Sequence, residues 1–471
     1  MKLLLIEDNP SWVDDVGAAL RKRIPELALT VAGSRDSALD ELASGVFDYI
    51  ICDLKIPTSD AALDAEVEHG RAVIENVASQ HSGTPRMILS AFGEVEYQFE
   101  VAEGSDKLDA IGDGKLANII VYRDKHRLDK AIEIVVGFAT RLRVTVDIEV
   151  IQNYCDPALS YHELRLVQIL ARRVDGRLVK TSRIGGGLSE STTLDVRILD
   201  SKGTLRGKQF VKTGSLDIIQ REKERYERHV APLLQIGLFA HLIQRVEAGA
   251  GSQGALAYGL GEGRTSLTDV MRKDSSGAAM VVAKLAESQQ VWMDGGQTTE
   301  ISVSDICKVL RTRMRDSVAE HIKDLDYKAF ETRTALVTRA VQHGDLHAEN
   351  VLVDMTNTPM LVDYGETGDL IAGFDPIALE LSLLFHPKVK MIRREWPTLA
   401  QAEAWINLDA YVAGCPQEEL VRQCRKWASS VTHSNRALLA CVYAHAIRQL
   451  GYTGTDKELA RALITGAIAR W

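Results

Sequence analysis

Five short apolar runs separated by stretches of helical spacing limit most tightly how residues 1–142 can fold. The runs lie at 2–6, 28–31, 48–52, 86–89 and 118–122. Residues 12–20, 35–42, 71–79 and 128–140 carry apolar side chains at helical intervals, and Ser34 stands where the second helix needs a cap. Strands alternating with helices build a parallel sheet covered on both faces. Polar ligands of such sheets gather at the carboxyl ends of the strands. The class expected here is α/β, a doubly wound five-stranded sheet.

The residues at those strand ends carry chemistry. Glu7 and Asp8 follow the first run, Asp53 the third and Ser90 the fourth, and Lys125 lies just past the fifth. Three converging carboxylates repel one another unless a divalent cation sits among them. With magnesium bound, Asp53 can attack a phosphoryl donor. A hydroxyl and an ammonium nearby suit the new phosphoryl oxygens. In these residues the segment resembles the receiver domains of bacterial two-component response regulators. The resemblance implies that Asp53 is the phosphoacceptor and that Glu7, Asp8 and Asp53 hold magnesium. It also implies that Ser90, Tyr122 and Lys125 form the switch, and that a histidine kinase or other phosphodonor is a partner. Two departures stand out. His126 occupies the place where proline usually follows the lysine, and residues 92–116 are longer than usual and rich in Gly and Asp.

No Gly/Ser-rich or Pro-rich tether separates this part from the rest. Residues 144–150 alternate apolar and polar as a strand does, and residues 161–174 have helical spacing behind Ser160. Residues 143–177 are therefore expected to pack as a linker with a helix.

Beyond it, residues 178–184 and 193–199 read as strands around Gly185-Gly186-Gly187-Leu188-Ser189. Such a turn lets backbone N–H groups approach phosphates closely. Residues 210–212 form the next strand and end in Lys212. Glu222 follows in helical text, with Glu224 and Glu227 as competing choices for a lysine partner. Further strands are expected at 242–247 and 255–260, with 259–263 as a hinge. Helices are expected at 280–290, 303–315 and 332–341. Then comes His343-Gly344-Asp345-Leu346-His347-Ala348-Glu349-Asn350, an apolar stretch, a strand at 360–362, and Asp363-Tyr364-Gly365. One carboxylate near an acceptor hydroxyl and two oxygen ligands for a hard cation are what phosphoryl transfer from ATP requires.

This order resembles the protein-kinase-like fold, and more narrowly the aminoglycoside phosphotransferase and choline kinase branch. The resemblance implies a bilobal α+β domain, with an N-lobe at 178–264 and a helical C-lobe at 265–471. It implies that Asp345 is catalytic, that Asn350 and Asp363 bind magnesium, and that Gly185, Gly186, Gly187, Ser189, Lys212 and Glu222 serve ATP. His343 would brace the loop, and His347 would either face the acceptor or, the reading preferred, serve the structure. Only about a dozen residues separate Asp363 from Asp375-Pro376, too few for a long peptide-docking segment. The acceptor expected is a hydroxylated small molecule or one dedicated partner.

Charge and composition exclude some functions. Residues 1–142 hold fifteen Lys and Arg against twenty-five Asp and Glu, while the remainder holds forty-one against forty. Neither part offers the basic footprint of a nucleic-acid binder, and no helix-turn-helix follows the first domain. The six cysteines lack metal-ligand spacing, which fits reduced thiols in a cytoplasm. No run is long and apolar enough for a bilayer, so no membrane partner is expected; a homodimer is possible. The function expected is an ATP- and magnesium-dependent phosphotransferase regulated through Asp53. The alternative is a nucleotide-binding adaptor that transfers nothing.

Overall fold

The computed structural model describes residues 1–91, 106–184, 191–261 and 263–471. The glycine-rich turn with Gly185, Gly186, Gly187 and Ser189 lies outside the described residues, as does 92–105 of the long segment before the fifth strand. The chain forms two compact units, Met1–Gln220 with Leu242–Gly259, and Arg221–His241 with Leu260–Trp471. Among the described residues no helix is long and apolar enough to cross a membrane.

In the first unit, β1 (Lys2–Ile6), β2 (Ala28–Ala32), β3 (Tyr49–Cys52), β4 (Arg86–Ser90) and β5 (Ile120–Asp124) form a sheet in the order β2-β1-β3-β4-β5. Every pairing is parallel. Helices α1 (Pro10–Arg23), α2 (Arg35–Ser44), α3 (Val67–Gln80) and α4 (Leu128–Val146) cover it. Leu4, Ile6, Ile50, Cys52 and Ile88 pack on one side with Ala38, Leu42 and Val73. Leu3, Leu5, Ile51, Met87 and Leu89 pack on the other with Val16, Leu20 and Val135. Successive strand residues thus enter opposite cores, which is why the strand sequences read as unbroken apolar runs. Ser34 caps α2 reciprocally with Ser37.

The reading of 144–150 as a strand needs correction. Helix α4 continues through Val146, and the strand β6 (Glu149–Gln152) begins only after a short turn. Ala139, Leu142 and Thr145 keep the helical period on the buried face, so Val144 and Val146 extend the helix toward its exposed side.

Strand β6 then joins a second sheet with β7 (Leu178–Arg183), β8 (Thr192–Leu199), β9 (Leu205–Ser215), β10 (His241–Val246) and β11 (Gln253–Gly259). The order is β10-β11-β9-β8-β7-β6, antiparallel along β11-β9-β8-β7 and parallel for β6 with β7. Between β6 and β7 runs α5 (Tyr161–Arg172), opened by the Ser160/Glu163 capping box. Its Leu166, Val167, Ile169 and Leu170 are fully buried against this second sheet.

Helix α5 also fastens the first sheet. Tyr161 Oη and Arg165 Nη1 donate to Asp48 Oδ1 at 2.6 and 2.8 Å, while Lys2 N donates to Asp48 Oδ2 at 2.8 Å. Close by, Gly83 N donates to Gly251 O and Gly249 N to Gly83 O. Gly249 has φ +93°, and a Cβ there would lie 1.8 Å from Ala110 O, so only glycine fits. Because the Asp48–Arg165 pair is buried, Asp48→Ala strands a guanidinium away from water. The expected loss is about 3–5 kcal/mol of stability, read by denaturant unfolding of the full chain.

Helix α6 (Leu216–Arg225) leads from β9 into the second unit. There β12 (Gln297–Ser302), β13 (Thr334–Gln342) and β16 (Gly368–Ile371) form one antiparallel sheet, with β13 in the middle. Thr265–Ser266, β14 (Val351–Val353) and β15 (Pro359–Leu361) form another. The main helices are α7 (Ser275–Ser288), α8 (Phe374–Phe385), α9 (Glu418–Val431), α10 (Asn435–Leu450) and α11 (Lys457–Ala469).

Two expected helices differ here. Residues 332–341 are mostly strand β13, because Ala335, Val337 and Ala340 meet the core while both edges of the strand are hydrogen-bonded. Its Thr and Val content favours that outcome. The helix expected over 303–315 stops at Val309.

Burial drives the His445 imidazole on α10 down to about 3, with the charge of Arg448 adding to the effect. Burial likewise takes His386, beside His347, down to about 4. Both rings are neutral in the fold but bind protons below pH 6.5 when unfolded. Stability is therefore expected to fall as pH drops from 6.5 toward 4, by up to about 1.4 kcal/mol per pH unit from His445 and by less from the partly exposed His386. Thermal melts across that range check the slope.

Candidate functional site

Acidic residues meet at the carboxyl edge of the first sheet, where the strand order reverses around β1. Ligand oxygens of Glu7, Asp8 and Asp53 all lie within 4.8 Å of one another. Glu7 and Asp53 are buried and Asp8 is exposed, so the cluster has a closed floor and an open side. Lys125, in the turn after β5, reaches back with Nζ 2.6 Å from both Glu7 Oε2 and Asp53 Oδ2. Its Nζ also sits 5.1 Å from the ring centre of Trp12.

The electrostatics follow from this packing. Burial raises the Glu7 carboxyl above its usual range, and the neighbouring Lys125 only partly offsets it. Burial works against the Lys125 ammonium, yet hydrogen bonds to Asp53 and Glu7 leave it above its usual range. Among the described residues Asp53 Oδ1 is buried without a hydrogen-bond partner. An orphaned carboxylate oxygen beside two more carboxylates fits a hard divalent cation.

Ser90 ends β4 in the interior, paired in register with Asp124. Tyr122 lies within β5, opposite Ile88. Gly70 on α3 was not picked out by sequence. A Cβ there would fall 2.6 Å from Asp53 O and 2.3 Å from Leu54 O, so its glycine lets α3 approach the Asp53 turn.

The second constellation is divided. Lys212 is buried on β9, the third strand of the antiparallel run, and belongs to the first unit. Asp345, Asn350 and Asp363 belong to the second, as does Glu222. Of Glu222, Glu224 and Glu227, only Glu222 is buried. It acts electrostatically on Tyr364 and Arg225. The Tyr364 ring stacks 5.5 Å from that of Tyr226, just past α6. Tyr364 Oη donates to Leu361 O at 2.6 Å and accepts from Ala240 N at 2.8 Å. The Asp363-Tyr364-Gly365 turn is thus held in place beside the helix that carries Glu222.

Asp345 stands on a loop pinned from beneath. Asp375, fully buried on α8, accepts from His343 N at 2.6 Å and Gly344 N at 2.9 Å. His343 Nε2 pairs with Val362 O at 3.0 Å, so it braces the loop against the Asp363 turn. Asn350 Nδ2 donates to Asp345 O at 2.9 Å. Val362 N donates to Asn350 O at 3.1 Å, which brings the Asn350 and Asp363 segments side by side. Asp363 has φ +65° and accepts from Gly365 N. Asp345 itself is 46 % exposed. His347 stacks on His386 at 4.4 Å between rings, and burial pushes its imidazole down.

Sequence reasoning missed Asp375 as a brace and Arg448, whose Nη2 lies 3.7 Å from Asp345 Oδ1. A signal existed for the first. Asp375 and Glu380 interrupt an otherwise apolar helix, and buried acids demand partners. Glu380 has one in Arg425 at 2.5 Å.

No family model matches the chain, and no curated protein matches it. Solved structures do. The receiver domain of Francisella response regulator 1452 is 22% identical, over 29% of this chain and 94% of that one, with a TM-score of 0.22. The BeF3-activated N-terminal receiver domain of Klebsiella pneumoniae RstA is 18% identical, over 30% and 99%, with a TM-score of 0.22. The phosphorylated cyanobacterial phytochrome response regulator RcpA is 19% identical, over 31% and 94%, again with a TM-score of 0.22. The N-terminal sheet keeps the parallel order β2-β1-β3-β4-β5. Each likeness spans less than a third of the chain.

Proposed function

We propose that this chain is a response regulator whose output is an ATP- and magnesium-dependent phosphotransferase, controlled by phosphorylation of Asp53. On the receiver side, the carrying observation is the orphaned Asp53 Oδ1 within the Glu7–Asp8–Asp53 cluster. Glu7, Asp8 and Asp53 would hold magnesium, which would neutralise charge as a donor approaches. Asp53 is then the nucleophile, and Lys125 and Ser90 are the groups that receive the new phosphoryl oxygens.

The output reading rests on the pinned loop. Asp345 is half exposed while its backbone is fixed by Asp375 and Asn350. Such a carboxylate is free to meet an acceptor hydroxyl yet held in position, which is what phosphoryl transfer asks of a protein. Asp345 would take the hydroxyl proton as the acceptor oxygen bonds to the γ-phosphorus of ATP and ADP departs. Asn350 and Asp363 are the proposed magnesium ligands of this site. Lys212, with Gly185, Gly186, Gly187 and Ser189, is proposed to bind the ATP phosphates, and Glu222 to support that site. A cognate histidine kinase as donor, a hydroxylated acceptor and a cytoplasmic location belong to the same proposal.

Regulation has a physical route within the first unit. The receiver is joined to the sheet carrying Lys212 through α5, by the Asp48–Tyr161–Arg165 bonds and the Gly83–Gly249–Gly251 contact. Phosphorylation at Asp53 would bias one receiver state and so bias that sheet. The test is magnesium-dependent ATP consumption by the full chain, with and without acetyl phosphate. Consumption absent under both conditions would defeat the proposal.

A further inference from the structure

Two guanidinium groups lie near the loop and turn that carry Asp345 and Asp363. Arg448 rises from α10, and its Nε donates to Tyr452 Oη at 2.9 Å, which fixes one end of the fork. The other end reaches Gly344 O at 3.5 Å and Asp345 Oδ1 at 3.7 Å, beyond hydrogen-bonding distance of the carboxylate. Arg448 is 24 % exposed and Asp345 46 %.

A second guanidinium comes from Arg311. Its Nη1 donates to the Glu366 carboxylate and, at 3.1 Å, to Glu366 O. Glu366 closes the turn that begins at Asp363. Arg311 holds φ +55°, a conformation costly for a side chain of this size. It is the left-handed residue that ends the helix at Val303–Val309, where Arg311 N donates to Lys308 O and Thr312 N to Cys307 O. Glu366 also acts electrostatically on Arg225 and Arg448. Arg311 is thereby held beside the turn that begins at Asp363.

Planar guanidinium forks match carboxylate and phosphate oxygens two at a time. We infer that the acceptor carries an oxyanion, a phosphate or a carboxylate, near its hydroxyl, and that Arg448 and Arg311 grip it. The inference deepens the phosphotransferase proposal and rests on it for the word acceptor, but the oxyanion site stands or falls separately.

The experiment has two arms on the full chain, both with magnesium. In the first, inorganic phosphate and, separately, glycerate are titrated by calorimetry in the presence of a non-hydrolysable ATP analogue. Wild type is expected to bind at least one of them. Arg448→Ala and Arg311→Gln are expected to weaken that binding about tenfold to a hundredfold. Arg311→Gln, at a partly exposed side chain, guards against misfolding of the Arg448 variant. The second arm measures transfer from ATP to ribose 5-phosphate, glycerate, choline and kanamycin. Transfer to ribose 5-phosphate identifies a phosphate-bearing acceptor, and transfer to glycerate a carboxylate-bearing one. Transfer to choline or kanamycin alone would overturn the inference while leaving the phosphotransferase standing. Anion binding unchanged by both arginine variants would also overturn it. Arginine-dependent anion binding with no transfer to any compound would uphold the oxyanion site and count against the phosphotransferase.

Discussion

Asp345→Asn is expected to lower ATP-dependent transfer by about a hundredfold to ten-thousandfold, the range for loss of a positioned general base. The fold should survive the change. Asp345 is half exposed, and its side chain supports no backbone group among the described residues. Bracing of the loop falls instead to Asp375, His343 and Asn350. Steady-state turnover, with a melt as control, checks the expectation. Asp375→Ala should behave differently. Its loss leaves the buried N–H groups of His343 and Gly344 unpaired, so stability and turnover fall together.

Asp53→Asn is expected to remove phosphoryl acceptance from acetyl phosphate altogether, because an amide oxygen is no nucleophile for this reaction. Asparagine keeps the shape of the site, and Lys125 keeps its ion pair with Glu7. The variant should therefore fold. The effect on output should be smaller than the effect on labelling. A receiver that shifts a population by 1–3 kcal/mol changes turnover about five- to 150-fold. Turnover of wild type with acetyl phosphate, compared with Asp53→Asn, gives that factor.

Much of the N-terminal sheet was legible because its physics is local. Apolar runs buried on both faces, a Ser34 cap and acids at strand ends are all written in short windows of sequence. Glu7, Asp8, Asp53 and Lys125 converge because their positions at strand ends fix their place on one edge. Residues 332–341 were misread because Thr, Ala, Leu and Val suit either a short helix or a strand, and their pairing partners lie far off at 297–302 and 368–371. The extension of α4 through Val146 was hidden because alternation over a few residues mimics a strand at a helix end. Asp48, Asp375 and Arg448 could not be found by spacing, since each acts on groups tens of residues distant. Gly70 and Gly249 carry no motif, and only the approach of another backbone reveals why they are glycine.

The two proposed phosphoryl sites can be separated in one crossed measurement. Wild type, Asp53→Asn and Asp345→Asn are each given radiolabelled acetyl phosphate, then labelled ATP with magnesium and an acceptor panel. Label from acetyl phosphate should appear on the chain in wild type and Asp345→Asn and be missing in Asp53→Asn. Transfer from ATP should persist in Asp53→Asn and collapse in Asp345→Asn. Transfer at wild-type rate by Asp345→Asn would contradict the account.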